Sequence, residues 1–497
     1  MAISNTPAPE TISDADRVRI ISGVLICMLL AALDQTIVAP VIPAIGSAVG
    51  NSDYISWIVS AYFLTATATT PLYGKVADIY GRRPTLFAAV AVFVVGSIIC
   101  ALATTMWVLI IGRAVQGLGG GGLMALAQTV VGDLYPPRER GKIAGYIAAT
   151  WAIASIAGPA LGGLITDHLT WSVIFWLNLP LAAVAIAMTN QALKRLPWNK
   201  RDHKLDVIGS CLVVLATVAL LLALALAPQA RFGWTSPAVL GLGTTGIVLI
   251  PVIIWHLLRA PEPLIPLDVL CNKVVLTATF SVFFAMAALI GLTVFVPLFL
   301  QLALGQTASQ SGFALVGYMI GTVVGANFAG RTMARAVSYK RLPLIGLAFA
   351  SLGLAWLAYR AKSIAFLEFE VVLALVGIGS GQQFPVTTVS VQNAVDQRDI
   401  GVATGVLAFM RALGSSIGVA VVGAVGAASG IMVSAHESGF GGSAVRAIEH
   451  VPGNAFAPVF IAVSLSFALS FVMLALMPER PLRGHVASPS SVATEEA

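Results

Sequence analysis

The fold is indicated most directly by one short stretch of sequence, Gly74-Lys75-Val76-Ala77-Asp78-Ile79-Tyr80-Gly81-Arg82-Arg83-Pro84-Thr85-Leu86. It lies between two long apolar runs in a chain of which only 10% is charged. Its acid and bases can form salt bridges to neighbouring helix ends, and its glycines allow close approach of the backbone. We interpret it as a short turn between two membrane helices that acts as a conformational latch through Gly74, Asp78, Gly81, Arg82 and Arg83. The alternative is an ordinary cytoplasmic turn, because the cytoplasmic loops of membrane proteins are enriched in Lys and Arg.

Composition places the chain among membrane proteins. Of its 497 residues 58% are hydrophobic, and the mean hydropathy is +0.91. Soluble domains are only about 45–50% apolar, so we predict an all-α polytopic membrane protein. Apolar stretches of roughly 20 residues can each span a bilayer. Fourteen are predicted, at residues 18–45, 54–74, 85–104, 106–134, 141–166, 171–192, 206–227, 237–258, 273–302, 310–334, 342–359, 365–392, 400–427 and 455–477.

The distribution of basic residues predicts the orientation. With the N-terminus in the cytoplasm, most bases fall in cytoplasmic segments. The predicted external loops then hold only Arg231, Arg360, Lys362 and Arg446. The net charge of +6 is therefore explained by topology, and nucleic-acid binding is not indicated. Both termini are predicted to be cytoplasmic, the first helix serves as its own insertion signal, and the four cysteines have no spacing that predicts a disulfide or a metal site.

The chain divides into five predicted segments. These are a cytoplasmic N-terminus (1–17), a first six-helix bundle (18–192), a basic linker with two additional helices (193–271), a second six-helix bundle (272–478) and a disordered tail (479–497). Weak internal symmetry supports the two bundles, because Gly330-Arg331-Thr332-Met333-Ala334-Arg335 follows the second helix of the second bundle. Ala334 stands there at the position of the acid, so this second charged segment should latch less firmly.

Asp34 is the only acid well inside any predicted apolar run. Such a residue costs about 2.5–3.5 kcal/mol on insertion scales, so it should face a cavity, pair with a base or be protonated. Arg113 is predicted at nearly the same depth, since Asp34 lies ~22 Å up the first helix and Arg113 ~10 Å down the fourth in a core of ~30 Å. We predict a proton-coupling pair, with Gln116 one turn away in the same cavity. The alternative is a static ion-pair clamp.

The fifth predicted helix carries Gly145 and then, after Ala154, the run Ser155-Ile156-Ala157-Gly158-Pro159-Ala160-Leu161-Gly162-Gly163. Pro159 removes a backbone donor and should bend the helix, while Gly158, Gly162 and Gly163 should let a neighbouring helix approach closely. Ordinary helix packing is the alternative, because small residues are common in membrane helices.

Further polar residues lie in the second half. Gln382 and Gln383 in the twelfth predicted helix are candidates to bind cargo, although bonding between helices is equally consistent. Arg411 lies about a dozen residues into the thirteenth helix and has no acid near its predicted depth. Glu368 and Glu370 are predicted to form a solvated rim at the outer end of the twelfth helix.

These motifs carry a family resemblance that covers residues 20–478. The charged stretch resembles the signature loop between helices 2 and 3 of the major facilitator superfamily, although Val76 and Ile79 depart from it, and the region around Arg113 resembles its helix-4 motif. The regions around Asp34, Gly158-Pro159, Gln382 and Arg411 resemble the fourteen-helix drug:proton antiporter family.

The resemblance implies a major facilitator fold, with two six-helix bundles plus two additional helices and fourteen transmembrane helices in all. It also implies a proton-coupled antiporter in a bacterial inner membrane that exports amphipathic or cationic compounds by alternating access. Its partners would be small-molecule cargo, protons and the lipid bilayer, and the proton gradient would replace any cofactor. The alternative is a proton-coupled exporter of one endogenous metabolite, such as a siderophore or an amino acid.

Other function classes are not indicated. Gly117-Leu118-Gly119-Gly120-Gly121-Gly122 satisfies the dinucleotide pattern G-x-G-x-x-G, but it continues a membrane helix and lacks the preceding strand. We interpret it as close helix packing. The chain has no phosphate-binding G-x-x-x-x-G-K-[ST] sequence, so ATP is not the predicted energy source and no enzyme activity is predicted. A channel would need a continuous polar pore, and a sensor would need a soluble signalling domain.

Overall fold

A computed structural model of the chain describes residues 14–50, 54–195, 205–227, 233–306, 308–333, 338–431 and 452–482. Several predictions concern residues outside these ranges. They include most of the N-terminal segment and of the tail, residues 196–204 of the linker, Arg231 and Arg446, and Ala334 and Arg335 of the second charged segment.

The regular structure of the described residues is helical. Seven helices form the first part: α1 (Asp14–Val49), α2 (Ser56–Tyr80), α3 (Arg82–Ala101), α4 (Met106–Leu134), α5 (Pro137–His168), α6 (Val173–Trp176) and α7 (Asn178–Ala192). The middle of the chain contains α8 (Val207–Leu226), α9 (Pro237–Arg259) and the short α10 (Leu267–Leu270). The last part contains α11 (Lys273–Leu302), α12 (Ala308–Met333), α13 (Arg341–Arg360), α14 (Phe366–Gly381), α15 (Gln383–Ala394), α16 (Ile400–Ala428) and α17 (Ala457–Leu476).

Length and composition identify the candidate membrane spans. Among the described residues, 12 helices are long and apolar enough to cross a membrane. The helices α2 and α12, with 25 and 26 residues, coincide with two further predicted spans but are not among those twelve. Their sequences contain more polar residues, such as the threonines of α2. A one-residue interruption at Gln382 separates α14 from α15, which were predicted as one helix.

The charged stretch is more helical than its sequence suggested. The helix α2 continues to Tyr80, and α3 begins at Arg82, so Gly81 alone connects them. The predicted spans 54–74 and 85–104 leave a ten-residue turn between them, and this expectation is wrong. Gly81 has φ 95° and ψ 158°, a backbone region that is essentially restricted to glycine, so one residue can reverse the chain.

Each part of the chain has its own hydrophobic core. Buried residues of α1, α2, α3, α4, α5 and α7 pack around aromatic side chains such as Phe93 in the first bundle. In the second bundle Phe299 contacts the rings of Phe369, Phe456 and Phe460. The side chains that face away from these cores are largely apolar, which suits a lipid environment.

The pair α8 and α9 is held together by one acid. Asp206, just before α8, accepts hydrogen bonds from the Gly209 N–H (2.8 Å) and the Leu264 N–H (3.1 Å), and its Oδ1 lies 2.8 Å from Nε2 of His256 in α9. Burial raises the pKa of the Asp206 carboxyl, but the hydrogen bonds outweigh burial, so this pKa lies below its ordinary value. The pair packs on α2, where Leu72 joins its hydrophobic cluster, and α8 also contacts α16.

The two bundles meet through α2 with α16 and α5 with α12. A Cβ atom on Gly74 would collide with the carbonyl oxygen of Gly401, and one on Gly330 would collide with that of Gly141. All four glycines lie near the ends of their helices on the predicted cytoplasmic side. The bundles are therefore closed against each other on that side.

We expect Gly81→Ala to destabilise the protein by about 1–3 kcal/mol, because alanine disfavours the backbone angles of Gly81. Thermal unfolding of the purified protein in detergent would measure the change. Gly241→Ala in α9 is the matched control, since a Cβ there would have open space around it and helical alanine is favoured over glycine. Equal loss of stability in both variants would contradict the expectation.

Candidate functional site

The structure brings Asp34 and Arg113 together inside the first bundle. Arg113 Nη1 of α4 donates a hydrogen bond to Asp34 Oδ2 of α1 at 2.6 Å. Each side chain is only 1% exposed. A buried charge requires a partner, because an isolated ion in an apolar medium is very costly. The depth comparison made from the sequence therefore agrees with the observed contact.

A neutral polar network completes the environment of this pair. Gln116 Nε2 donates to Asp34 Oδ1 (2.7 Å), and Arg113 Nη1 donates to Gln116 Oε1 (2.7 Å). Asn178, the first residue of α7, donates to Asp34 Oδ1 at 3.0 Å. Both amides also donate to the Ser97 hydroxyl of α3. Asp34 thus accepts bonds from donors on two helices, and four helices contribute to the network.

Arg113 has further contacts that hold its guanidinium group in place. Its Nε donates to the carbonyl oxygen of Ile58 at 3.0 Å. Its Cζ lies 4.5 Å from the centre of the Tyr62 ring and 5.9 Å from that of Phe175. Aromatic faces stabilise a cation in a dry environment. These contacts therefore fix the guanidinium group of Arg113 beside Asp34.

The latch residues form two kinds of contact. Asp78 accepts from Arg82 in its own bundle and from the Val402 N–H of α16 at 3.0 Å, so one carboxylate joins the two bundles. Arg82 Nε also donates to Asp133 Oδ2 of α4 (2.7 Å). Arg83 Nη2 donates to Asn190 Oδ1 of α7 (2.6 Å), so it contacts its own bundle. Neither Asp133 nor Asn190 could be recognised as a partner from the sequence, because each is distant along the chain from the arginine that it contacts.

The helix-5 motif packs against two neighbours. A Cβ on Gly158 or Gly162 would clash with Thr36 or Ile37 of α1, and one on Gly145 would clash with Asn327 of α12. Pro159 lies within α5 without ending it. The prediction for Gly163 is wrong, because a Cβ there would meet no atom within 4 Å. Small residues can face lipid at no packing cost, which is why sequence spacing alone did not separate it from the others.

The second-half glutamines are not brought to the Asp34 network. Gln383 is completely buried and bonds to Ser281 of α11 (2.7 Å) and Ser470 of α17 (3.1 Å) within its own bundle. Gln382 is 7% exposed and faces Gly346 of α13. In this conformation Gln383 bonds between helices, which was the alternative to cargo binding. The buried Oε1 of Gln382 has no hydrogen-bond partner among the described residues, so neither interpretation is decided for it.

The two glutamates of α14 differ in their surroundings. Glu368 accepts from Trp356 Nε1 (2.9 Å) and Arg360 Nη2 (3.4 Å) at a partly exposed position, as expected for a rim residue. Glu370 is placed differently. A Cβ atom added at Gly317 in α12 would lie 3.4 Å from Oε2 of Glu370. The other carboxylate oxygen, Oε1, is buried and has no hydrogen-bond partner among the described residues.

A second polar group lies where the bundles meet, and we call it the polar layer: Gln128, Arg140, Thr388, Gln392, Thr404 and Arg411. Gln392 of α15 donates to the Gln128 carbonyl oxygen (3.1 Å) and to the Thr404 hydroxyl (3.2 Å), and it accepts from Arg140 Nη1 (3.2 Å). Arg411 Nη1 donates to Gln128 Oε1 at 3.0 Å. Only Arg411 of this group was singled out from the sequence. Its neutral members give no distinct signal in membrane helices, and Arg140 was counted among the cytoplasmic bases that set the orientation.

Comparison with known proteins identifies the family. The family model described as Major Facilitator Superfamily matches residues 24–419 and 278–492. "Multidrug resistance protein 3" of Bacillus subtilis is 32% identical over 406 residues, which cover 82% of this chain and 79% of that protein. "Multidrug transporter protein MdtP" of the same organism is 31% identical over 409 residues, covering 82% and 75%.

Solved structures agree on the fold. The human organic anion transporter MFSD10 superimposes with a TM-score of 0.62 at 17% identity, covering 93% of this chain and 100% of that one. The proton:xylose symporter XylE gives 0.59 at 14% identity, covering 94% and 98%.

We expect Arg113→Met to destabilise the protein by about 3–5 kcal/mol, because it leaves the buried Asp34 carboxylate without its countercharge. Combining it with Asp34→Asn should recover most of that loss. Thermal unfolding in detergent would compare the two variants. A double variant as unstable as Arg113→Met would contradict the charge explanation and assign the loss to packing against Tyr62 and Phe175.

The matching family model, the relatives of similar length and the two superimposed transporters agree with the described helices, and the chain therefore belongs to the major facilitator superfamily of membrane transporters.

Proposed function

We propose that the protein is a proton-coupled multidrug efflux transporter, a secondary antiporter that exports amphipathic or cationic compounds by alternating access of its two bundles. The observation that carries the proposal is the buried Asp34–Arg113 pair with its network, because ionisable residues at this depth in a membrane default to a functional role. The names of the bacterial relatives, a multidrug resistance protein and a multidrug transporter, support drug efflux.

Proton binding at Asp34 would act first inside one bundle. A protonated carboxyl no longer balances Arg113, so the network of Gln116 and Asn178 must rearrange. Thr36, two residues further along α1, donates to the Ala154 carbonyl oxygen of α5 (2.8 Å). The helix α5 in turn contacts α12 of the other bundle at Gly145 and Asn327. This chain of contacts would pass the change at Asp34 to the bundle interface.

The same proposal includes the topology predicted from the sequence. Adding α2 and α12 to the twelve candidate spans would give fourteen transmembrane helices, with α8 and α9 as the two additional ones. The protein would lie in a plasma membrane, in bacteria the inner membrane, with both termini in the cytoplasm. The conformation described above would then be closed toward the cytoplasm.

A panel of cargoes in proteoliposomes tests the function and its alternative. Export of several unrelated amphipathic dyes under an imposed pH gradient would support multidrug efflux. Export of one metabolite alone, such as an amino acid or a siderophore, would support the alternative. A protein that moves no compound against its gradient would contradict both.

We expect Asp34→Asn to reduce proton-driven export at least tenfold, because asparagine keeps the size of the side chain but cannot carry the proton. Dye export under a pH gradient would measure the loss. Asp268→Asn is the matched control, since Asp268 is exposed on the short α10 outside the spans. Undiminished export by Asp34→Asn would show that the Asp34–Arg113 pair is a static clamp.

Charge balance gives a second expectation for a monovalent cationic cargo. If Asp34 is the only coupling acid, one proton enters for each cation that leaves, and the membrane potential contributes nothing. Moving an uncompensated charge would be worth about 2.3 kcal/mol per 100 mV. Export of the cation should therefore survive valinomycin with potassium, which removes the potential, and stop with nigericin, which removes the pH gradient. Loss with valinomycin alone would indicate a second proton site, and the partly buried Glu370 would then be the first residue to replace.

A further inference from the structure

Arg411 is a cation in the membrane interior for which the described residues provide no acidic partner. Its Nη2 donates to the Thr388 hydroxyl of α15 at 2.7 Å, and its Nη1 donates to the Gln128 amide of α4 at 3.0 Å. Its Nε is buried and has no hydrogen-bond partner among the described residues. Within the described part of the chain no carboxylate forms a salt bridge with it.

Arg113 is the other arginine in the membrane interior, and its charge is balanced. It is 1% exposed and is neutralised by Asp34, and its donors are directed to fixed acceptors. Among the described residues Arg411 has only neutral partners. If its role were limited to joining Gln128 and Thr388, a neutral side chain would serve without the cost of a membrane-embedded charge. No carboxylate among the described residues balances this guanidinium charge, which points to an anion supplied from outside the described chain.

The position of Arg411 suits a ligand that enters between the bundles. It lies ~16 Å along α16, close to the middle of a hydrocarbon core of ~30 Å. Its hydrogen-bond partners come from both bundles, α4 on one side and α15 on the other. The ring of Phe384 lies 5.7 Å from its Cζ. A cationic fork, a hydroxyl, an amide and an aromatic ring thus face one place at the interface.

The chemistry of this group selects the class of anion. A guanidinium group binds planar oxyanions through two parallel hydrogen bonds, which matches a carboxylate. The hydroxyl of Thr388 donates to the Phe384 carbonyl oxygen (2.8 Å) and accepts from Arg411 Nη2, so it orients the guanidinium group. The ring of Phe384 offers an apolar surface to the rest of the ligand. The fork that includes the unpartnered Nε consists of Nε and Nη2, so a carboxylate that binds there leaves the hydrogen bond from Nη1 to Gln128 in place.

We propose that Arg411, oriented by Thr388, binds a carboxylate group of the exported cargo at the bundle interface, with the apolar body of the cargo on Phe384. This inference rests on the proposed function and narrows its cargo to amphipathic compounds that carry an anionic group, zwitterions included.

Two dyes that differ in one carboxylate test the site. Rhodamine B carries a free carboxylate, and its ethyl ester has the same ring system without it. The dissociation constants of both dyes would be measured by fluorescence with the purified protein. We expect Arg411→Gln to raise the ratio of the two constants, acid to ester, about tenfold or more, because a charge-assisted bond is lost only with the acid. Arg411→Lys, which keeps the charge but not the fork, should give a smaller rise.

Gln128→Ala is the control for a role in joining the bundles. It removes the neutral partner of Arg411 and should change the binding of both dyes alike. If Arg411→Gln also changes both dyes alike, Arg411 is a clamp between bundles and the inference is overturned. The inference is also overturned if transport of both dyes by the unmodified protein depends on chloride, because the anion at Arg411 would then be inorganic.

Export assays separate this inference from the function on which it rests. If proteoliposomes with the unmodified protein export neither dye nor any other amphipathic compound under a pH gradient, the proposed function fails, and the inference fails with it. If they export dyes but the acid-to-ester ratio is the same in Arg411→Gln, only the inference fails.

Discussion

The first bundle is organised around one constraint, the need to neutralise a carboxylate in a dry interior. Asp34 can be buried only with Arg113 and with donors for its remaining lone pairs. These donors come from α4 and α7, so the helices must approach closely. A Cβ on Gly96 would collide with the backbone of Gln116, and this glycine lets α3 bring Ser97 to the network. The small residues near the pair are thus a consequence of the charge.

Much of the helical architecture could be predicted from the sequence because the bilayer imposes a length on each apolar run. The connection between α2 and α3 could not. A charged segment reads as a loop when its partners are unknown, but Asp133 and Asn190 satisfy Arg82 and Arg83 within the folded bundle. With these charges satisfied, the helices extend until Gly81, where the backbone angles require glycine.

The candidate site was predictable to the extent that its members carry charge. The predicted depths were sufficient to place Asp34 beside Arg113, because two opposite charges in an apolar medium are stabilised by pairing with each other. Ser97 and Asn178 were not found, since neutral polar side chains occur throughout membrane helices and their partners are distant in sequence. The same holds for Gln383. Its neutral side chain can bond to cargo or to another helix, and the sequence did not show that its partners are two serines of neighbouring helices.

Strong and weak interactions are distributed differently within and between the bundles. The ion pairs Asp34–Arg113 and Arg82–Asp133 join helices of the same bundle. Between the bundles, Gln392 and Gln128 meet through neutral groups, and a neutral hydrogen bond has a net value of only about 0.5–1.5 kcal/mol. Charged side chains at the interface bond across it to neutral groups: Asp78 to the Val402 N–H, Arg140 to Gln392 and Arg411 to Gln128. Asp78 also keeps Arg82 as its charged partner on its own side. Separation of the bundles would therefore break no ion pair that the described residues form, so an interface built in this way can open at the cost of weaker interactions alone.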